Sequence, residues 1–258
     1  MDLFAFDNLL RALPIMLLAF CRMIALLCFA PLFAEKVVSV RLRVAIALLL
    51  SVVIALPMAD QKLRLFSLSG IGLIINQCVI GAAIGLSMQC IFAAIRLGGE
   101  VIALQMGLSF ASFYDAGSHS SLSVIARLLT YLSLLLFVNV DGLLWILSVL
   151  FSSFEQLPYS QFHSLTEQFL GIAQLGGTLF LQALQLSLPL IFMLLAVNLA
   201  LGLLNRMTPQ FSAFVIGFPL TLMIGIFALY QSMPLLIEMF QHMKMTLGQQ
   251  LILFFSAA

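Results

Sequence analysis

The sequence predicts an all-α, polytopic membrane protein of roughly six apolar helical segments. Three observations carry this reading. Of the 258 residues, 63% are hydrophobic and only 8% are charged, whereas a soluble domain carries about 25% charged residues. The mean hydropathy is +1.19. Residues 65–95, 168–205 and 207–237 contain no Asp, Glu, Lys or Arg, and each run exceeds the roughly 20 apolar residues that a membrane-spanning helix needs. The net charge of +1 supplies no field for nucleic acid, and no nucleic-acid motif is present.

The elements follow in chain order. The opening MDLFAFDNLLR holds Asp2 and Asp7, with Arg11 the one positive charge ahead of the first apolar run. A secretory signal needs a basic start and a small-residue cleavage site, so the first helix is expected to be retained. Ile15 to Phe33 is the first apolar segment, interrupted by Arg22. Glu35, Lys36, Arg41 and Arg43 then break the pattern. Val44 to Leu56 is a second segment, stopped by Pro57 and followed by Asp60, Lys62 and Arg64. It measures only about 20 Å at 1.5 Å per residue, too short for a normal crossing, and reads as a short span or a re-entrant hairpin. The positive-inside rule puts the loops holding Arg41, Arg43, Lys62 and Arg64 in the cytoplasm, although they flank the same short segment.

Further along, Val124 to Phe154 is apolar with Arg127, Asn139 and Asp141 inside it. The run 168–205 has room for one span and its approach, or for a hairpin. Leu235 to Phe255 mixes Glu238, Gln241, His242, Lys244, Gln249 and Gln250 into an apolar pattern. It reads as an amphipathic helix on a membrane surface or against a partner. The whole divides into N-terminal helical hairpins over 1–97, a loop region over 98–123, C-terminal hairpins over 124–234 and a tail over 235–258.

Several apolar runs carry polar residues: Asn76, Gln77, Gln89, Asn139, Gln182, Gln185 and Asn198. Unsatisfied amides are costly in hydrocarbon, so these face other protein through interhelical hydrogen bonds, or line a wet path. Gly81 and Gly85 form a GxxxG, and Gly217, Thr221 and Gly225 a ladder of small residues; both allow helices to approach closely. Most of the 13 methionines read as core filler, though Met also suits surfaces that accept varied partners.

Catalytic chemistry has little to work with. No HExxH, P-loop, nucleophile elbow or carboxylate pair appears, so no enzyme is expected. Cys21, Cys28, Cys78 and Cys90 lack the short spacing of zinc or redox sites, and His119, His163 and His242 are scattered. No metal or cofactor is expected. Arg96 and Glu100 stand four apart on a helix and suit an ion pair. It is either structural, or a latch at a joint softened by Gly98 and Gly99. Asp141, Arg127 and Arg206 must each be paired, snorkelling or beside water.

The passage LQMGLSFASFYDAGSHSSLSVIAR, Leu104 to Arg127, stands apart. Val101 to Met106 is still helix-like. Gly107, Ser109, Ala111 and Ser112 give a helix little to hold, Phe110, Phe113 and Tyr114 supply rings, and Asp115-Ala-Gly117-Ser is turn chemistry. Ser121 or Ser123 suits the N-cap of the next helix. Two readings stand. Irregular backbone at membrane depth survives inside protein or beside water, which would make this a plug in a central space. Otherwise it is an external loop with its aromatics at the lipid interface.

The stretches GGEVIALQMGLSFASFYDAGS, VNVDGLLWIL and NLALGLLNRMTPQFSAFVIGFPLTL resemble the FliR family, the flagellar branch of the FliR/SctT group of type III secretion export-gate proteins. The similarity runs from about Gly85 to Tyr230, and the hydropathy fits to both ends. The resemblance implies bent helical hairpins in a spiral assembly with FliP-like and FliQ-like subunits, an FlhB-like switch protein alongside. It implies a site in the bacterial inner membrane at the flagellar basal body, partly raised to the periplasmic side, in contact with lipid. Unfolded flagellar subunits would pass through it, driven by a cytoplasmic ATPase and the membrane potential. The family's loop after LQMGLSF is a plug, which carries over to Phe110 and Phe113 as its rings, with Met106, Gly107 and Tyr114 close by. The family usually has Asp-Pro where this chain has Asp115-Ala116, which leaves a less rigid turn. The turn Asn205-Arg206-Met-Thr-Pro209-Gln210 is shared by the flagellar and virulence branches. Pro209 suits the first turn of a new helix, and Arg206 is expected to meet helix C-terminal carbonyls, a partner's acid, or the membrane surface. The rival readings are a virulence export-gate homologue, a secondary transporter for a small solute, which would want an internal repeat, and a scaffold that only nucleates assembly.

Overall fold

The computed structural model describes residues 6–34, 38–55, 68–108, 123–157, 165–207 and 213–257. Phe110, Phe113, Tyr114, Pro209 and Gln210 lie outside them. Among the described residues there are eight helices and no strand: α1 Phe6–Phe29, α2 Pro31–Ala34, α3 Val40–Ala55, α4 Leu68–Gln105, α5 Val124–Asn139, α6 Gly142–Gln156, α7 Leu165–Met207 and α8 Ala213–Ala257. Three contain stretches long and apolar enough to cross a membrane: Gly70–Gln105, Gly176–Met207 and Gly217–Leu251. α5 and α6, broken at Val140–Asp141, pass the same test together. With 38, 43 and 45 residues, α4, α7 and α8 measure about 57, 65 and 68 Å. That is roughly twice the ~30 Å hydrocarbon core of a bilayer.

Several expected boundaries move. α3 is one helix, not a re-entrant hairpin, and it begins at Val40 with Arg41 and Arg43 inside it. Charged residues are compatible with the helix because Arg41 lies on its exposed side. The run 168–205 is likewise a single helix, α7, that continues through Pro189. α8 runs unbroken through Pro219 and Pro234, so residues 235–257 are not a separate element. Proline removes one backbone bond, a loss that neighbouring groups can make good in a long apolar helix. The amphipathic pattern of this tail is real: Leu236, Phe240, Met243, Leu247 and Leu251 are buried, while Glu238, Gln241 and His242 are exposed. That apolar stripe is buried within the chain, and Leu235, Ile237 and Met245 stay exposed beside it.

The chain divides into two compact units. The first comprises Met1–Cys90, Leu143–Gly176 and Thr246–Ala258. In it, Ile15, Leu18, Ala19, Arg22, Met23, Leu26 and Leu27 form a buried stripe on α1 at the three-four spacing of a helix face. α1 packs along α3, which buries Ala47, Ser51, Ile54 and Ala55. α4 crosses α1 at the GxxxG: a Cβ on Gly81 would land on the Arg22 carbonyl, and one on Gly85 would sit 2.8 Å from both Leu26 O and Phe29 Cβ. The backbones therefore touch at a distance that only glycine permits.

The second unit comprises Ile91–Gly142 and Gly177–Met245. Its core holds Phe92, Phe137 and Phe240, edge to face in all three pairs at 5.6, 6.1 and 6.3 Å. This is the offset geometry that ring quadrupoles favour, and it fastens α4, α5 and α8 together. At the end of α5, Val140 N–H donates to Leu136 O, and Lys244 Nζ donates to Val140 O at 2.9 Å. A cation on the last carbonyls of a helix also meets the negative end of its dipole. Asp141, which is exposed, has φ of 51°; aspartate is one of the few side chains that visits this left-handed region readily.

Candidate functional site

The site is the root of the connection between α4 and α5. Its first half is the end of α4. Gly107 N–H donates to Leu104 O and Leu108 N–H to Ala103 O, both at 3.1 Å. Gly107 has φ of +78°. This is a full Schellman motif, in which a left-handed glycine lets the chain turn back on the last carbonyls. The helix-like reading of Val101 to Met106 is thus met, and Gly107 is the residue that stops the helix.

Met106, one residue earlier, is fully buried. It faces the small-residue ladder of α8. A Cβ on Gly225 would lie within 2.6–2.8 Å of the Met106 Cγ, Sδ and Cε atoms, so the thioether fills the notch that glycine leaves. Thr221 Oγ1 lies 3.5 Å from Met106 O while donating to Phe218 O at 3.0 Å. Asn198 Nδ2 of α7 lies 3.5 Å from Gln105 O. Thr221 and Gly225 of the ladder are therefore the seat of the α4 end, while Gly217 faces Leu201 of α7.

The second half is the start of α5. Ser123 is its N-cap, with extended backbone and a side chain that accepts from Ala126 N–H at 3.2 Å. Glu100 Oε1 on α4 accepts the Ser123 N–H at 2.8 Å. A carboxylate at a helix N-terminus is favoured by both the free N–H groups and the dipole. The expected Arg96–Glu100 ion pair does not form among the described residues, because Glu100 turns to Ser123 instead. Gly98 and Gly99 lie inside continuous α4. They are contact points: a Cβ on Gly99 would sit 2.7 Å from Ala126 Cα, and one on Gly98 would sit 3.1 Å from Leu186 Cδ2. The pair admits α5 and α7 to close packing.

Asn205 and Arg206 are exposed in the last turn of α7. Arg206 sits where a cation favours the helix dipole, and among the described residues no hydrogen bond holds its guanidinium. Of the amides singled out in apolar runs, Asn76, Gln77 and Gln182 are buried, whereas Asn139, Gln185 and Asn198 are exposed.

Arg22, in the first unit, is more important than the sequence reading made it. It is fully buried. Nε donates to Gln77 Oε1 at 2.7 Å, Nη1 to Ser153 O at 2.8 Å and Ser153 Oγ at 3.0 Å, and Nη2 to Leu157 O at 3.0 Å. The guanidinium carbon lies 4.2 Å from the centroid of the Phe154 ring. One planar fork thereby ties α1 to α4 and to the C-terminal carbonyls of α6. The signal that could have found it is the lone arginine in an apolar run, which implies a protein partner at depth.

A sequence profile of the family described as "Bacterial export proteins, family 1" matches residues 13–247. The chain is 43% identical over 224 residues to "Flagellar biosynthetic protein FliR" of Pectobacterium carotovorum subsp. carotovorum, covering 87% of this chain and 86% of that one. It is 44% identical over 222 residues to the protein of the same name from Escherichia coli (strain K12), covering 86% and 85%. It is 26% identical over 233 residues to the Bacillus subtilis (strain 168) protein of that name, covering 89% and 90%.

Proposed function

The chain belongs to family 1 of the bacterial export proteins, and from that premise we propose that it is a channel-forming subunit of the flagellar type III export gate. It passes unfolded flagellar subunits across the bacterial inner membrane. It is not an enzyme; it supplies one wedge of a wall shared with FliP-like and FliQ-like subunits, next to an FlhB-like switch protein.

One observation carries this reading. α7 and α8 are far longer than a bilayer core, and both carry uncovered apolar side chains along their length. Phe180, Phe192, Leu199 and Leu203 are exposed on α7, and Met223, Phe227 and Tyr230 on α8. Patches of this size mark surfaces meant to be covered. Lipid alone is a poor cover, because Gln185 and Asn198 are exposed among them and an amide facing hydrocarbon is costly. Sister subunits of similar helical make-up satisfy both kinds of group. Helices of this length also suit an assembly partly raised to the periplasmic side. In this reading Phe110 and Phe113 are the plug rings, with Tyr114 beside them, and Asn205, Arg206, Pro209 and Gln210 form a turn that meets a partner.

Deleting the gene in its own host tests the assignment. Cells are expected to lose filaments and motility and to retain flagellar subunits inside, with any virulence secretion intact. Motile cells with normal filaments, or loss of virulence secretion alone, would remove the flagellar assignment.

A further inference from the structure

We infer that the groove between α1, α3 and α6 holds an acyl chain of an anionic phospholipid, with the headgroup at the Arg41–Arg43 end of α3. This goes beyond the export-gate reading and does not rest on it, since it asks only that the chain meets lipid.

The groove lies within the first unit and has a volume of about 330 Å³. All of its described lining residues are apolar. Met23 and Leu27 of α1 and Leu150 of α6 are buried and make its floor, while Leu49 of α3 and Leu143 of α6 are exposed at its rim. Apolar cavities of about 150 Å³ already stay dry and take up small apolar molecules, because water finds no hydrogen-bond partner in them. A groove roughly twice that size, open along one side, suits a flexible hydrocarbon chain rather than water.

The surroundings identify the source of that chain. α3 turns Val44, Leu48, Leu49 and Val53 outward, and its one hydroxyl, on Ser51, is buried and donates to Leu48 O at 2.8 Å. Beyond Arg43, α3 thus shows no exposed polar side chain that only protein could satisfy. This differs from α7, where Gln185 and Asn198 are exposed among apolar residues. Lipid covers an all-apolar face without leaving an amide unpaired.

Charge marks one end. Arg43, Ile46 and Leu50 follow at three- and four-residue spacing on one side of α3. Ile46 and Leu50 line the groove, and the Arg43 guanidinium, donating to Val38 O at 3.2 Å, belongs to the turn before them. Arg41 is exposed in that same turn. Two guanidinium groups at the end of an apolar groove complement a negatively charged phosphate headgroup whose chain runs down the groove.

The test uses the complex purified with its partners and reconstituted in bilayers of phosphatidylcholine and phosphatidylglycerol, the phosphatidylglycerol carrying a diazirine on its acyl chain. After irradiation, mass spectrometry locates the labelled residues. Label is expected on Met23 and Leu27, which lipid outside the groove does not reach, as well as on Leu49. Label absent from Met23 and Leu27, the result expected if a sister subunit fills the groove, would overturn the proposal. In the same complex Ile46→Trp fills the groove. Label on α1 should then fall about tenfold, the equivalent of about two displaced methylenes; unchanged label would overturn the proposal as well. Moving the diazirine to the phosphatidylcholine should lower the α1 label of the wild type about fivefold, the usual attraction of one arginine for an anionic lipid. Arg41→Gln together with Arg43→Gln should abolish that difference. Equal labelling of the wild type by the two probes would contradict the anionic headgroup and overturn the assignment, and this measurement needs no substitution to be tolerated.

Discussion

Arg22→Ala is expected to cost about 3–5 kcal/mol of stability, from buried acceptors that lose their donor at about 1–3 kcal/mol each and from the void that a large buried side chain leaves. The guanidinium is fully buried and satisfies Gln77 Oε1, Ser153 O and Leu157 O. Alanine removes the guanidinium donors from Gln77 Oε1 and Leu157 O in an apolar interior, each at about 1–3 kcal/mol, and opens a void beside Phe154. Ser153 O keeps the Leu157 N–H at 3.0 Å and is not stranded. Arg22→Met separates the causes, since it keeps most of the volume and none of the donors. Arg22→Lys keeps the charge but not the planar fork, and should recover only part of the loss. Thermal unfolding of the detergent-extracted complex, or its steady-state level in cells, reads the effect. An Arg22→Met complex as stable as wild type would show that the hydrogen bonds contribute nothing net.

Replacing Phe110 and Phe113 together by alanine is expected to turn a sealed gate into a leaky one. Aromatic side chains bury about 150–250 Å² each, and the small residues between them, Ala111 and Ser112, have no bulk with which to compensate. The effect falls on permeability rather than on assembly, because the contacts that fix the two ends of the connection, at Met106 and Ser123, are untouched. Conductance, or growth in the presence of small toxic molecules, measures it in cells that express the gate with its partners. Wild-type tightness in a correctly assembled double variant would contradict the plug assignment. A scaffold that only nucleates assembly predicts that same tightness, so the measurement also decides between those readings.

Much of this architecture was legible in the chain because local chemistry dictates it. The charge-free runs mark the long stretches of α4, α7 and α8. Gly81 and Gly85 announced a close helix crossing, and α1 lies against them. Ser123 was readable as an N-cap because a serine oxygen serves the free N–H groups of a helix start wherever the helix later packs. What local chemistry could not supply was the identity of distant neighbours. Arg22 meets groups 131 and 135 residues away in sequence, and nothing near position 22 names them. Gly98 and Gly99 left open a structural site or a softened joint, because glycine weakens an isolated helix, and nothing local showed that their missing side chains let α5 and α7 approach. Glu100 has a natural partner at Arg96, yet the free N–H of Ser123 takes it. Arg43 misled for a related reason: a charge that reads as a break lies inside α3, where its guanidinium donates to Val38 O at 3.2 Å.

The central claim is that the uncovered apolar faces of α7 and α8 are buried against sister subunits. Mild-detergent extraction from the native host, followed by size-resolved purification and a map of whatever co-purifies, tests it most directly. The account predicts a hetero-oligomer in which FliP-like and FliQ-like chains cover Phe192, Leu199, Met223 and Tyr230, and a chain that aggregates when produced by itself. A stable, monodisperse lone protomer with those four side chains facing detergent would contradict it.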